Sequence, residues 1–192
     1  MDLHKIGIRV LAEETGAVAL QEFIPVFHAW IQGRLLDGLL IDVADYSHVP
    51  DGPGILLVAH DGNYAYDETG GRRGLVYYSK QALPGALPER LAAVCHKALA
   101  ACALIESNDV FKGRVRFHGH RLEIFANDRL LAPNTEQTFD ALRSPVEALL
   151  NRLFPQRDYV LAREPDGKER FSLAVTAGAP ATVLQLTRRL AA

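Results

Sequence analysis

From Ile6 to Leu11 apolar residues alternate with Gly7 and Arg9, and Lys5 precedes them in the same phase, so period two predicts a first strand. The period then lengthens. Leu20, Phe23, Ile24, Phe27, Trp30 and Ile31 recur at helical spacing, with Gly33 as the stop. Apolar, β-branched runs at 39–43 and 54–59 flank Pro50-Asp51-Gly52-Pro53, turn chemistry that suits an antiparallel pair. Tyr64–Tyr66 and Leu75–Tyr78 read as further extended segments around a glycine-rich loop. A second helix is predicted from Pro88, a residue suited to the first helical turn, to Glu106.

Beyond it, 114–117 and 121–125 are predicted as two strands around Gly119, followed by a turn at Asn127-Asp128 and a short strand at 129–131. The stretch 136–154 is helical in period. Ser144-Pro145-Val146-Glu147 in its middle reads as a capping box, which predicts two helices end to end. Strands at 159–162 and 171–175 around Pro165-Asp166-Gly167-Lys168, and a helix over 182–190, complete the pattern.

The fold class expected from this order is α+β, an antiparallel or mixed sheet with helices mainly on one face, in a single domain over 1–192. Helix–strand–strand units recur at 20–62, 86–128 and 135–178, and under that reading 63–85 is a hairpin insertion. Leu91–Ile105 is too short and too interrupted, by His96 and Lys97, for a membrane span.

Composition narrows the function classes more than it selects one. The chain of 192 residues is 48% hydrophobic and 23% charged, which excludes disorder, and its net charge of −2 gives no global attraction to nucleic acid or anionic membranes. The charge is uneven, with six Lys/Arg against eleven Asp/Glu in residues 1–85 and fifteen against twelve in 86–192. The opening Met1-Asp2-Leu3-His4-Lys5 lacks the features of a secretory signal, and a cytoplasmic location is the expectation. Cys95 and Cys102 lie seven apart on a helix, about 10 Å, beyond disulfide reach, and read as reduced core residues. No phosphate-binding loop, dinucleotide fingerprint or nucleophile elbow is present, which disfavours nucleotide hydrolysis and serine-hydrolase chemistry.

Three constellations could carry chemistry. Lys112, Arg114, Arg116, His118 and His120 occupy alternate positions with Val115 and Phe117 between them, so an extended segment would gather five basic groups on one face. Such a stripe suits an anionic small molecule or an acidic protein surface; the competing reading is a solvated face paired with carboxylates such as Glu123 on the neighbouring strand. The face lacks aromatic platforms, which disfavours nucleic acid. His118 and His120 supply only two imidazoles, so no metal is expected, and no cofactor either. In the second constellation, a hairpin centred near Gly52 and Pro53 would set Asp45 opposite His60, a carboxylate orienting a general base, with Asp61 and Tyr64 nearby. The third is Arg72 and Arg73 on the glycine-rich tip, planar donors for a carboxylate or phosphate.

The reading that follows is a non-enzymatic binding or assembly module engaging an anionic ligand or acidic partner through the basic strand. A small hydrolase or isomerase using His60 and Asp45 is the alternative. A homo-oligomer is expected, formed through the Ala-rich second helix or an open sheet edge.

Overall fold

The computed structural model describes residues 1–14, 17–156 and 158–191. Among these, the strands are β1 (Ile6–Glu14), β2 (Leu40–Asp45), β3 (Ile55–Ala59), β4 (Gly62–Asp67), β5 (Gly74–Ser79), β6 (Val115–Ala126), β7 (Tyr159–Arg163) and β8 (Ser172–Ala177). The helices are α1 (Phe23–Gly33), α2 (Leu87–Ser107), α3 (Glu136–Leu153) and α4 (Val183–Ala191). The strands form one sheet in the order β2-β3-β4-β5-β1-β6-β8-β7, every pair antiparallel. The α+β architecture with helices on one face is therefore present.

The helices build the core against that face. α1 buries Phe23, Val26, Phe27 and Trp30, and ends where Arg34 takes a left-handed conformation at φ 50°. α2 carries Pro88 in its first turn, and the Glu89 carboxylate accepts the Ala86 N–H at 2.8 Å. Its Ala98, Ala101, Cys95 and Cys102 are fully buried against the sheet and the neighbouring helices. These small residues serve the interior of the chain itself.

Three expectations are corrected. α3 runs unbroken through Pro145, because Leu142, Val146, Leu149, Leu150 and Leu153 form one continuous buried stripe. The single backbone bond that proline removes involves Ala141, which is exposed to water. Residues 129–131 form a turn, not a strand. β6 is one continuous twelve-residue strand, so the middle helix–strand–strand unit has only one strand. The segment 63–85 supplies β4 and β5, which stand between β3 and β1 in the interior of the sheet; without them β2 and β3 would pair only with each other.

β6 also contains the irregularity that decides which way its side chains point. Val10 pairs with Leu122 but Ala12 pairs with Phe117, so two steps along β1 match five along β6. Three extra residues are an odd number, and the alternation inverts across them. Val115 and Phe117 reach the helical core before the bulge, while Leu122, Ile124 and Ala126 reach it afterwards. Inside the bulge, Gly119 passes so close to the segment before α4 that an added Cβ would meet the Ala181 carbonyl oxygen at 2.2 Å.

No helix covers the opposite face among the described residues. There Gly7 lies across from Phe125, and a Cβ on Gly7 would sit 2.1 Å from the phenyl ring. The ring rests on bare β1 backbone, an arrangement only glycine permits. Gly7→Ala should therefore destabilise the protein by about 1–3 kcal/mol, read as a lower urea midpoint at unchanged m-value.

Candidate functional site

The strand registers assemble a row of side chains across the helix-free face. Ala44, Leu56, Ala65, Val76, Arg9, Glu123, Ala174 and Ala162 stand opposite one another from β2 through to β7. All are small or apolar except the central pair, Arg9 and Glu123. Both are buried, with side chains only 1% and 6% exposed.

Arg9 is held from several sides. It donates through Nη2 to Asp67 at 2.8 Å, and through Nη1 to the carbonyl oxygens of Thr69 and Arg72 at 3.1 and 2.8 Å. Its Nε faces Glu123 Oε2 across 3.5 Å, and neither atom has a hydrogen-bond partner among the described residues. Glu123 Oε1 faces Arg72 Nη2 across 3.7 Å. Glu123 is therefore a buried carboxylate between two guanidiniums, and it accepts no hydrogen bond among the described residues.

Two loops from opposite ends of the sheet arch over this pair. The β4–β5 loop brings Arg72, whose side chain is 46% exposed and donates no hydrogen bond among the described residues. The β7–β8 loop brings Arg170, whose guanidinium lies 3.6 Å above the Phe125 ring and donates to Asn127 at 3.3 Å. Between the loops lies a cleft of about 780 Å³, within the range of small-molecule sites. Val76, Phe125 and Tyr78 supply its apolar floor, and Asp51, Glu164, Asp166 and Glu169 its rim.

The other candidates that the sequence offers lie elsewhere, and the His60–Asp45 pair among them is overturned. Asp45 pairs with Ile55, whereas Leu40, near the other end of β2, pairs with Ala59. His60 is thus separated from Asp45 by about five strand residues, some 16 Å. A count centred on Gly52 and Pro53 gives the wrong register because the turn at 46–54 is wide and β2 carries a bulge between Leu40 and Asp42. The Asp45 carboxyl is held below its ordinary range by the Ser47 hydroxyl and N–H instead. Asp61 lies 4.0 Å from His60 Nε2, and both side chains are exposed. Tyr64 faces the helical core, its ring 4.6 Å from that of Tyr77, and burial pushes its phenol well up.

The basic stripe divides. Lys112 and Arg114 lie in the turn before β6 and not on a strand. Arg114 is engaged by Glu22, at 2.5 Å, and by the Val110 carbonyl. Arg116, His118 and His120 do sit on β6, with the two imidazole rings 5.4 Å apart. Burial, then His118 and Arg121, hold the His120 imidazole below its ordinary value. Glu123, expected as a counter-ion on a neighbouring strand, belongs to β6 itself and serves Arg9. Arg73 is committed to Glu14 at 2.6 Å and to Glu68, which leaves Arg72 as the guanidinium of that pair without a hydrogen bond among the described residues.

Periodicity and motif spacing do not single out Arg9, Asp67, Phe125 or Arg170. One signal is present in the sequence, a charged residue inside the apolar alternation of the first strand. Comparison with protein-family models, curated proteins and solved structures returns no match.

Thiol chemistry has no place at the cleft. Burial pushes the Cys95 thiol up to about 12 and the Cys102 thiol well above its ordinary value. A folded value raised above the unfolded one, about 8.5, contributes stability that is intact below pH 8.5 and lost as pH rises toward 12. Cys95→Ala should flatten that decline by about 1.4 kcal/mol per pH unit in urea melts between roughly pH 9 and 12.

The buried ion cluster makes a second expectation. Arg9→Met leaves Asp67 without its cation and Glu123 with Arg72 alone, and should cost about 3–5 kcal/mol in chemical unfolding. Glu123→Gln should cost clearly less, because Arg9 keeps Asp67 and the two carbonyls.

Proposed function

We propose that this protein is a binding module that holds an anionic group, a carboxylate or phosphate, in the cleft on the helix-free face of the sheet. The observation that carries the reading is the state of Arg72. A half-exposed guanidinium approaches a carboxylate at 3.7 Å, donates no hydrogen bond among the described residues, and faces a cavity of about 780 Å³. Its planar donors are free for a bidentate acceptor.

Charge supports the same reading. Arg9, Arg72 and Arg170 surround Asp67 and Glu123 at the floor, which leaves one positive charge in excess there for a bound anion, and Arg129 is a fourth arginine in the lining. Arg9 is saturated by its own neighbours and acts as the fixed base of the site, while Arg72 and Arg170 are the groups that meet the ligand. The lining holds no histidine or cysteine, and we read the cleft as a binding site.

Inorganic phosphate and succinate are suitable probes. Titrated into labelled protein, they should shift the amide resonances of 70–73, 123–127 and 170–172 with saturation in the low millimolar range, and Arg72→Ala or Arg170→Ala should weaken binding about tenfold, near 1.4 kcal/mol. An absence of saturable shifts up to about 50 mM, or equal binding by the double variant, overturns the assignment.

A further inference from the structure

Resting on that reading, we infer that the ligand is dipolar, with a cationic ammonium or guanidinium group set apart from the acid that Arg72 and Arg170 hold. The chemistry is that of a short peptide with a free carboxylate and a Lys or Arg side chain.

The floor and the rim of the cleft have opposite sign. Above the excess positive charge of the floor stand four carboxylates, Asp51 from the β2–β3 turn and Glu164, Asp166 and Glu169 from the β7–β8 loop. None is in an ion pair among the described residues. Three of them accept hydrogen bonds from backbone: Asp51 from the Gly70 N–H, Glu164 from the Asp166 N–H and Asp166 from the Lys168 N–H. These contacts shape the loops without forming ion pairs, and with Arg129 counted the lining holds four arginines against six carboxylates. Three of the four carboxylates cluster at the end of the cleft from which Arg170 enters.

Acidic loops alone mark no site. The independent observation is Glu123 beneath them, more than nine-tenths buried, lining the cleft, with Oε2 lacking any hydrogen bond among the described residues, beside an Arg9 Nε in the same condition. Those two atoms are closed against each other at 3.5 Å, whereas Glu123 Oε1, on the Arg72 side of the cleft, also accepts no hydrogen bond among the described residues and is an acceptor left for a donor from outside. A purely anionic ligand would satisfy the guanidiniums while lying under four like charges. A ligand with a cation about one residue's length from its acid satisfies both layers, and the apolar strip of Val76, Phe125 and Tyr78 accommodates the stem between them.

The test compares acetyl-Gly-Gly-Lys with acetyl-Gly-Gly-Leu, each as free acid and as C-terminal amide, by calorimetric or amide-shift titration at low salt. The lysine peptide acid should bind about fivefold tighter than the leucine peptide acid, an advantage that shrinks with added salt. The triple substitution Glu164→Gln, Asp166→Asn, Glu169→Gln should bring the two peptides level without weakening the leucine peptide. Both amides should lose most of their binding, as Arg72→Ala does with the acids.

Equal binding of the two acids, or an unchanged ratio in the triple variant, overturns the dipolar inference while the anion site stands. Tighter binding of acetyl-Gly-Gly-Glu than of the lysine peptide overturns it as well. If phosphate, succinate and both peptide acids all fail to bind, the anion site itself falls, and this inference with it.

Discussion

A guanidinium buried at the centre of a sheet, on the face that no helix covers, is the constraint around which this molecule is arranged. Desolvating Arg9 without compensation would be prohibitively costly. The chain therefore brings Asp67 from β4, Glu123 from β6 and two backbone carbonyls from the β4–β5 loop to the same point. The hairpin is thereby tied to the first strand. The loop conformation that presents those carbonyls is also the one that leaves the Arg72 side chain over the cleft.

Phe125 provides the second anchor of that face. Its ring is held between the bare backbone at Gly7 and the guanidinium of Arg170, so an aromatic residue that would otherwise be exposed is covered by a cation from the β7–β8 loop. Arg72 and Arg170 thus reach toward each other from opposite ends of the sheet. One stands over Glu123, the other over Phe125. The cleft is a consequence of how the face is sealed, and its mixed charge follows from sealing an apolar floor with arginines while the loops that carry them are acidic.

The free strand edges are treated differently from this face. At β2, the Asp42 carboxylate takes the Val43 N–H at 2.8 Å, a bulge interrupts the ladder, and Asp45 takes the Ser47 N–H. Side chains occupy backbone groups that a further strand would need, which is a common way of blunting an edge. The concave, polar-floored cleft is the better-built surface for recognition.

Much of the fold is legible in the linear pattern. Period-two and β-branched runs locate every strand of the sheet, because a strand packed on one face must alternate, and helical spacing locates α1, α2 and α4, because each buries a single stripe. Local rules fail where long-range burial outweighs them, as at Pro145, where a continuous apolar stripe carries α3 through a residue that usually ends helices. The inversion within β6 is equally hidden, since a bulge of three residues is set by its partner β1. For the site, the sequence determined which groups were available: an arginine inside an apolar strand, a tip bearing Arg72, a glutamate in β6. Only the tertiary structure decided that these converge while His60 and Asp45 do not. The pairings of β1 with β5 and β6, which set the centre of the sheet, join residues more than sixty positions apart, and even in the β2–β3 hairpin periodicity within a strand carries no information about its register on the neighbour.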